Sequence, residues 1–332
     1  MSQDDGHGPA DAFVSTGRMP ARDRVAGLVD EAHGRFAGVE AGEVSGVYPA
    51  LARMPAGLFG ICVAATDGTV HAVGDAEVPF TIMSVSKPFV FALVCDLIGA
   101  TGARERLGAN ATGRAFNAAA GLEAGGDGRT NPMVNAGAIA TTSLAGGATA
   151  EARWRFVHEG LSRFAGRELA LNAEVYASAT ETNFRNRGLA WMLQAKGRVY
   201  CDPLEALDLY TRQCSLDVTA RDLAVMGATL ADGGFNPVSR EQVVRPAACH
   251  PTLAVMLTAG LYETSGDWLY EVGLPGKSGV GGGIVTVSPG KGGLGTFAPP
   301  LDAAGNSVRG QLATRFLSQR LGLDLLVSAP AT

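Results

Sequence analysis

The chain reads as an α+β protein in which strands from both ends of the sequence join around a largely helical middle. One hairpin lies early: Leu58 to Ala65 is a buried strand, Thr66-Asp67-Gly68-Thr69 is a turn signal, and Val70 to Val73 returns. A second lies late, where Gly283 to Val287 and Leu294 to Phe297 flank Ser288-Pro289-Gly290-Lys291. Between them the apolar spacing is helical. Strands at the two ends with helices between predict one lobe built from both termini, clasping a helical insert.

In chain order, Arg22 to Phe36 is an amphipathic helix with Val25, Leu28 and Val29 on one side. Gly38 to Pro55, broken by glycine and proline, is expected to be irregular. Phe80 to Ala100 is expected as one apolar helix. Glu151 to Phe164 and Asn186 to Lys196 have helix spacing, and Asp202-Pro203 opens another helix with proline in its tolerated first turn. Thr219-Ala220-Arg221-Asp222 is a capping-box pattern before Leu223. Helix resumes over Thr252 to Tyr262, and Ser307 to Leu321 closes the chain. This gives a tail over 1–20, one domain over 21–325 and a short tail over 326–332. Within the domain, 21–80 and 265–325 form the α/β lobe and 81–264 the helical lobe.

With 332 residues, 46% hydrophobic and 18% charged, the composition is that of an ordinary globular protein. A net charge of −5 and the lack of a basic run argue against a nucleic-acid partner. Five scattered cysteines, Cys62, Cys95, Cys201, Cys214 and Cys249, form no Cys-x-x-Cys pair and read as reduced thiols. Met1 to Pro20 has no apolar core behind a basic head, so it reads as a disordered tail and not a signal or transit peptide. The longest apolar stretch, Pro88 to Cys95, meets Asp96 after too few residues to span a bilayer. A cytoplasmic protein with no membrane partner is expected, and no metal or cofactor: the histidines lack ligand spacing, and His71, His158 and His250 read as structural.

Two segments carry chemistry. Ser84-Val85-Ser86-Lys87 sets a hydroxyl and an amine three positions apart, on one face if helical. Lys277-Ser278-Gly279 opens the glycine run Val280-Gly281-Gly282-Gly283. A hydroxyl is a poor nucleophile until a base takes its proton, and a lysine serves as that base only when neutral. Burial and a second cation both disfavour its charge, and Lys277 is the expected cation. If Ser84 opens the helix, its unpaired backbone N–H can face an oxyanion, and Pro88 supports that placement because the helix cannot run through it unbroken. Ser-x-x-Lys alone is common by chance; its setting makes it specific. Other motifs fail on position. Gly290-x-Gly292-x-x-Gly295 joins two strands, Gly276-Lys277-Ser278 has Glu271 where a phosphate loop needs glycine, and no Gly-x-Ser-x-Gly elbow occurs.

With these residues placed, the chain from about Ala50 to Leu321 resembles the serine-dependent glutaminase family, related in fold to β-lactamases and transpeptidases. The specific stretches are Asn131-Pro132-Met133-Val134-Asn135-Ala136-Gly137-Ala138, Arg185-Asn186-Arg187, Gln213-Cys214-Ser215, Asp222 to Gly227, Gly273-Leu274-Pro275, Pro299-Pro300-Leu301 and Gly305 to Gly310. The resemblance implies an antiparallel sheet flanked by helices, and hydrolysis of L-glutamine to L-glutamate and ammonia through an acyl-serine. It implies Ser84 as nucleophile, Lys87 as base, Tyr262 as a proton donor to departing ammonia and Lys277 as a positive charge. Asn135, Asn186, Tyr210, Tyr262 and Val280 are the implied ligand contacts, Val280 through an oxyanion N–H. Family members are oligomeric, which implies a homodimer or homotetramer.

Three positions depart from the family pattern: Met83 where glutamine is usual, Val47 (with Tyr48 beside it) where tyrosine is usual, and Ala179 where glutamate normally meets the α-ammonium group. Losing a hydrogen bond to a charged group costs about 1.5–3 kcal/mol, so an amide lacking that ammonium, or weak activity on glutamine, is the alternative expectation. A β-lactamase or transpeptidase is disfavoured because neither Ser-x-Asn nor Tyr-x-Asn occurs anywhere. A non-catalytic scaffold is disfavoured by joint retention of Ser84, Lys87, Tyr262 and Lys277.

Overall fold

The computed structural model describes residues 17–124 and 126–328. Most of both expected tails, 1–16 and 329–332, lies outside the described residues; 17–20 and 326–328 carry no helix or strand. Five strands form one antiparallel sheet: β1 (Gly60–Ala65), β2 (Val70–Gly74), β3 (Gly276–Ser278), β4 (Gly283–Ser288) and β5 (Gly292–Phe297). Their order is β2-β1-β5-β4-β3. The N-terminal hairpin joins the C-terminal strands through β1 and β5, with Gly60 opposite Phe297 and Ala65 opposite Gly292. Both predicted hairpins are present, and Asp67 Oδ1 accepts the Thr69 N–H at 2.8 Å to close the first turn.

The principal helices are α1 (Arg22–Phe36), α2 (Lys87–Ile98), α3 (Asn135–Thr142), α4 (Ala150–Ala165), α5 (Ala173–Thr182), α6 (Phe184–Ala195), α7 (Pro203–Cys214), α8 (Ala220–Ala231), α9 (Pro246–Ala259), α10 (Ser265–Val272) and α11 (Val308–Arg320). One face of the sheet, through Ile61, Val63, Ile284 and Leu294, packs against Val25, Val29, Ala313 and Leu317 of α1 and α11. The other face, through Cys62, Ala64, Val285 and Val287, packs on α8 and the helices beyond it. Helix α8 lies so close that a Cβ on Gly295 would sit 2.0 Å from the Ala220 carbonyl oxygen, and one on Gly293 would sit 2.2 Å from that of Ala224. Glycine is required in β5 because backbone meets backbone there.

The capping signals hold: Thr219 and Asp222 complete a capping box, and Asp202 accepts from Leu204 N and Glu205 N ahead of Pro203. Boundaries differ where partners lie far along the chain. Phe80–Thr81 is a strand paired with Asp217–Val218, not the start of the apolar helix. Met83–Ser86 is a 3₁₀ turn, and the α-helix begins at Lys87 with Pro88 in its first turn. The 38–55 segment contains a strand, Glu43–Val44, paired with Pro300–Leu301, and a helical turn, Pro49–Ala52. Helix α9 ends at Ala259, leaving Tyr262 in a separate 3₁₀ turn. Among the described residues no single helix is long and apolar enough to cross a membrane.

Candidate active site

The Met83–Ser86 turn is gripped from two sides. Below it, Phe80 stacks on Phe297 of β5 with ring centroids 4.0 Å apart, and Ile82 N donates to Leu216 O at 2.8 Å. Above it runs the segment leaving β3, where a Cβ on Gly281 would fall 2.5 Å from Thr81 O and one on Gly279 would fall 3.0 Å from Val85 Cγ2. The glycine run after Lys277 thus lets this segment lie against the nucleophile turn. Inside the turn, Ser86 Oγ donates to Met83 O at 2.8 Å and accepts from Gln213 Nε2 at 3.2 Å. Met83 adopts φ +49°, a left-handed conformation unusual for a side chain with Cβ, directly before Ser84. Strain beside a nucleophile persists only where the surroundings fix it.

In front of Ser84 lies a cleft of about 270 Å³. Its lining includes Asn135, Asn186, Tyr210 and Val280, and also the three departing positions Val47, Met83 and Ala179, with Tyr48 beside Val47. The structure therefore brings together every sequence-predicted ligand position except Tyr262 along one cleft wall or rim. Lys87, Tyr262 and Lys277 are buried nearby and do not line it.

Lys87 is 1% exposed. Its Nζ donates to Asn135 Oδ1 at 2.8 Å and to Met133 O at 3.3 Å. Those two bonds occupy the two protons of a neutral amine and leave its lone pair over. Burial pushes the amine down from its ordinary 10.5 to about 8. Neither of these bonds goes to Ser84; beside the nucleophile turn it is Asn135 that holds the amine. Asn135 also accepts from Tyr210 Oη at 3.2 Å and donates to Asn186 Oδ1 at 3.1 Å, linking α2, α3, α6 and α7.

Lys277 is held by backbone oxygens and an aromatic ring. Its Nζ donates to Gly260 O at 2.8 Å and Ser278 O at 2.6 Å and lies 4.3 Å from the Tyr262 ring centroid. Burial first, and then the neighbouring Lys87 charge, hold Lys277 well below its ordinary value, so the two amines are close enough to disfavour each other's charge. Tyr262, at φ +54°, donates to Ser278 O at 3.2 Å. Burial drives the pKa of its phenol upward, against the opposing influence of the Ser84 side chain and the Val280 backbone beside it. The phenol keeps its proton at neutral pH and sits between nucleophile and strand.

Sequence reasoning missed the bracing groups. Phe116 packs on Tyr262 with ring centroids 4.4 Å apart, from a segment with no periodic signal. Cys214 lies at the cleft base, 3.9 Å from Ser86 Oγ, its thiol kept neutral by burial. Gln213 and Cys214 stood within a family-like stretch, but residue type alone gave them no role.

The glutaminase family model matches residues 42–326. Over its full length the chain is 67% identical to glutaminase 2 of Yersinia pestis, covering 98% of that protein. It is 47% identical to a glutaminase of Mycobacterium ulcerans over 91% of this chain and 94% of that one. The solved structure of the probable glutaminase ybaS superposes with a TM-score of 0.91 at 42% identity, covering 93% of this chain and all of that one. A probable glutaminase of Bacillus subtilis gives 0.81 at 31% identity, covering 91% and 97%. The α+β arrangement with its antiparallel sheet is the β-lactamase-like fold of these neighbours. On sequence and on structure alike, the chain belongs to the glutaminase family.

Proposed function

We infer that the protein is a serine amidohydrolase that converts L-glutamine and water to L-glutamate and ammonia through an acyl-Ser84 intermediate. The single observation that carries this is the placement of Lys87. It is a fully buried amine with two acceptors, three residues from a hydroxyl that opens onto the cleft. Neutral Lys87 takes the Ser84 proton as Oγ attacks the amide carbon. The carbonyl oxygen gains charge and takes up the backbone N–H groups of Ser84 and Val280, competing with the Tyr262 phenol for the latter. As the C–N bond breaks, Tyr262 gives its proton to the departing amine and recovers one from Lys87. Water then attacks the ester with Lys87 accepting its proton, Lys87 returns that proton to Ser84 Oγ as the ester C–O bond breaks, and glutamate leaves with both groups as they began. Lys277, under the Tyr262 ring, keeps the phenol in place.

Trapping tests the scheme. Acid quenching during turnover is expected to yield a peptide containing Ser84 that is heavier by one acyl group, absent from Ser84→Ala. No adduct, together with ammonia release surviving in Ser84→Ala, would overturn it.

Five free thiols among the described residues support a reducing, cytoplasmic setting. Exposed Phe184, Trp191 and Leu204 on α6 and α7 support self-association as a homodimer or homotetramer.

A further inference from the structure

The cleft in front of Ser84 has an unbalanced charge. Among the described residues that line it none is aspartate or glutamate, while Arg185 stands at its rim and makes no ion pair with a described residue. Nearby carboxylates are engaged or turned away. Glu263 accepts the Phe116 N–H at 3.1 Å, Asp208 is taken by Arg212 at 2.8 Å, and Glu181 is exposed outside the lining. The first turn of α6, which carries Arg185 and Asn186, has no side-chain cap; Asn183 donates through Nδ2 to Thr211 Oγ1 and accepts no N–H of that turn. Its partial positive charge adds to that of the guanidinium. On the other side the side chains of Val47, Met83, Ala179 and Val280 are apolar.

A ligand carboxylate in this cleft meets a cation and donor groups. A ligand ammonium meets neutral carboxamide and hydroxyl oxygens but no anion to balance its charge. We propose that the site recognises ω-monoamides of short dicarboxylic acids by their two ends, carboxamide at Ser84 and carboxylate toward Arg185, and that an α-ammonium group is not a recognition element. The des-amino analogue of glutamine, 5-amino-5-oxopentanoate, is then a better substrate than L-glutamine itself. This deepens the acyl-Ser84 reading and rests on it. Balance is unchanged: one C–N bond is hydrolysed, with the ammonia leaving and a dicarboxylate formed.

The test is steady-state ammonia release by the full chain from 5-amino-5-oxopentanoate, L-glutamine and butanamide, with Ser84→Ala as the blank. The expected kcat/KM for the des-amino acid exceeds that for L-glutamine at least tenfold, and that for butanamide at least tenfold. Arg185→Gln, an exposed change with no described ion partner to lose, is expected to collapse the second ratio. Ala179→Glu is expected to narrow the first. A wild-type ratio below ten on either comparison overturns the selectivity and leaves the acyl-serine scheme standing. No release above the blank from any of the three overturns the scheme and this proposal with it.

Discussion

A lysine that acts as a base must sit where its charged form is unwelcome, and Lys87 meets that condition chiefly through burial. Because the neutral amine is the active form, kcat/KM for an amide should rise tenfold per pH unit below about 8 and level off above it. The same depression bears on stability. Between about 8 and the ordinary 10.5 the unfolded chain holds a proton that the folded chain has lost, so stability rises with pH across that window. Below about 8 the full cost of burying the charge is present. Lys87→Met removes both effects. Activity should drop by about 10²–10⁴-fold, while the Tm at pH 7 stays level or rises, as scanning calorimetry would show. A Tm that falls together with activity would mean the variant lost its fold and not its base.

At the scale of elements, what was readable in the sequence is what local chemistry decides. The capping box at Thr219, the Asp202-Pro203 start and both hairpin turns follow from residues that meet within a few positions. The Phe80–Thr81 strand, the 3₁₀ turn at Ser84 and the bracing by Gln213, Cys214 and Phe116 depend on partners distant in sequence, so no local pattern announces them. Ser84, Lys87 and Lys277 were legible because their chemistry is specific. How Asn135 holds Lys87 was not, because an asparagine side chain serves equally for caps and turns. The β5–α8 contact is the clearest case where glycine pattern encodes packing. Gly295→Ala places a methyl carbon 2.0 Å from a backbone oxygen of α8 and 2.7 Å from a backbone nitrogen, neither of which can yield without moving the helix. A loss of about 1–3 kcal/mol or more is expected by urea titration. Thr219→Ala, which removes only a capping bond at the same helix, should cost about 1 kcal/mol.

At the scale of the molecule, the sheet is assembled from chain segments that lie on either side of the whole helical part, and the reactive groups straddle the join. Ser84 and Lys87 come from the turn and helix after the first hairpin, Lys277 from the edge strand near the other end and Val280 from the turn that follows it. We propose on this ground that the 21–80 and 265–325 lobe and the 81–264 lobe unfold as one unit. Two tryptophans report on the two sides: Trp268 is buried in the cluster under α1 and α11, and Trp154 packs against the core among the helices. In single-tryptophan variants, the urea midpoints from Trp268, from Trp154 and from residual activity should coincide. Leu317→Ala, at a fully buried position on α11, should lower all three together, for a stability loss of about 2–5 kcal/mol. It touches no reactive group, so kcat per folded molecule should remain at the wild-type value. If Leu317→Ala moves the Trp268 midpoint and leaves Trp154 in place, the helical part folds without the sheet, and the site must then be assembled by docking of two independent bodies.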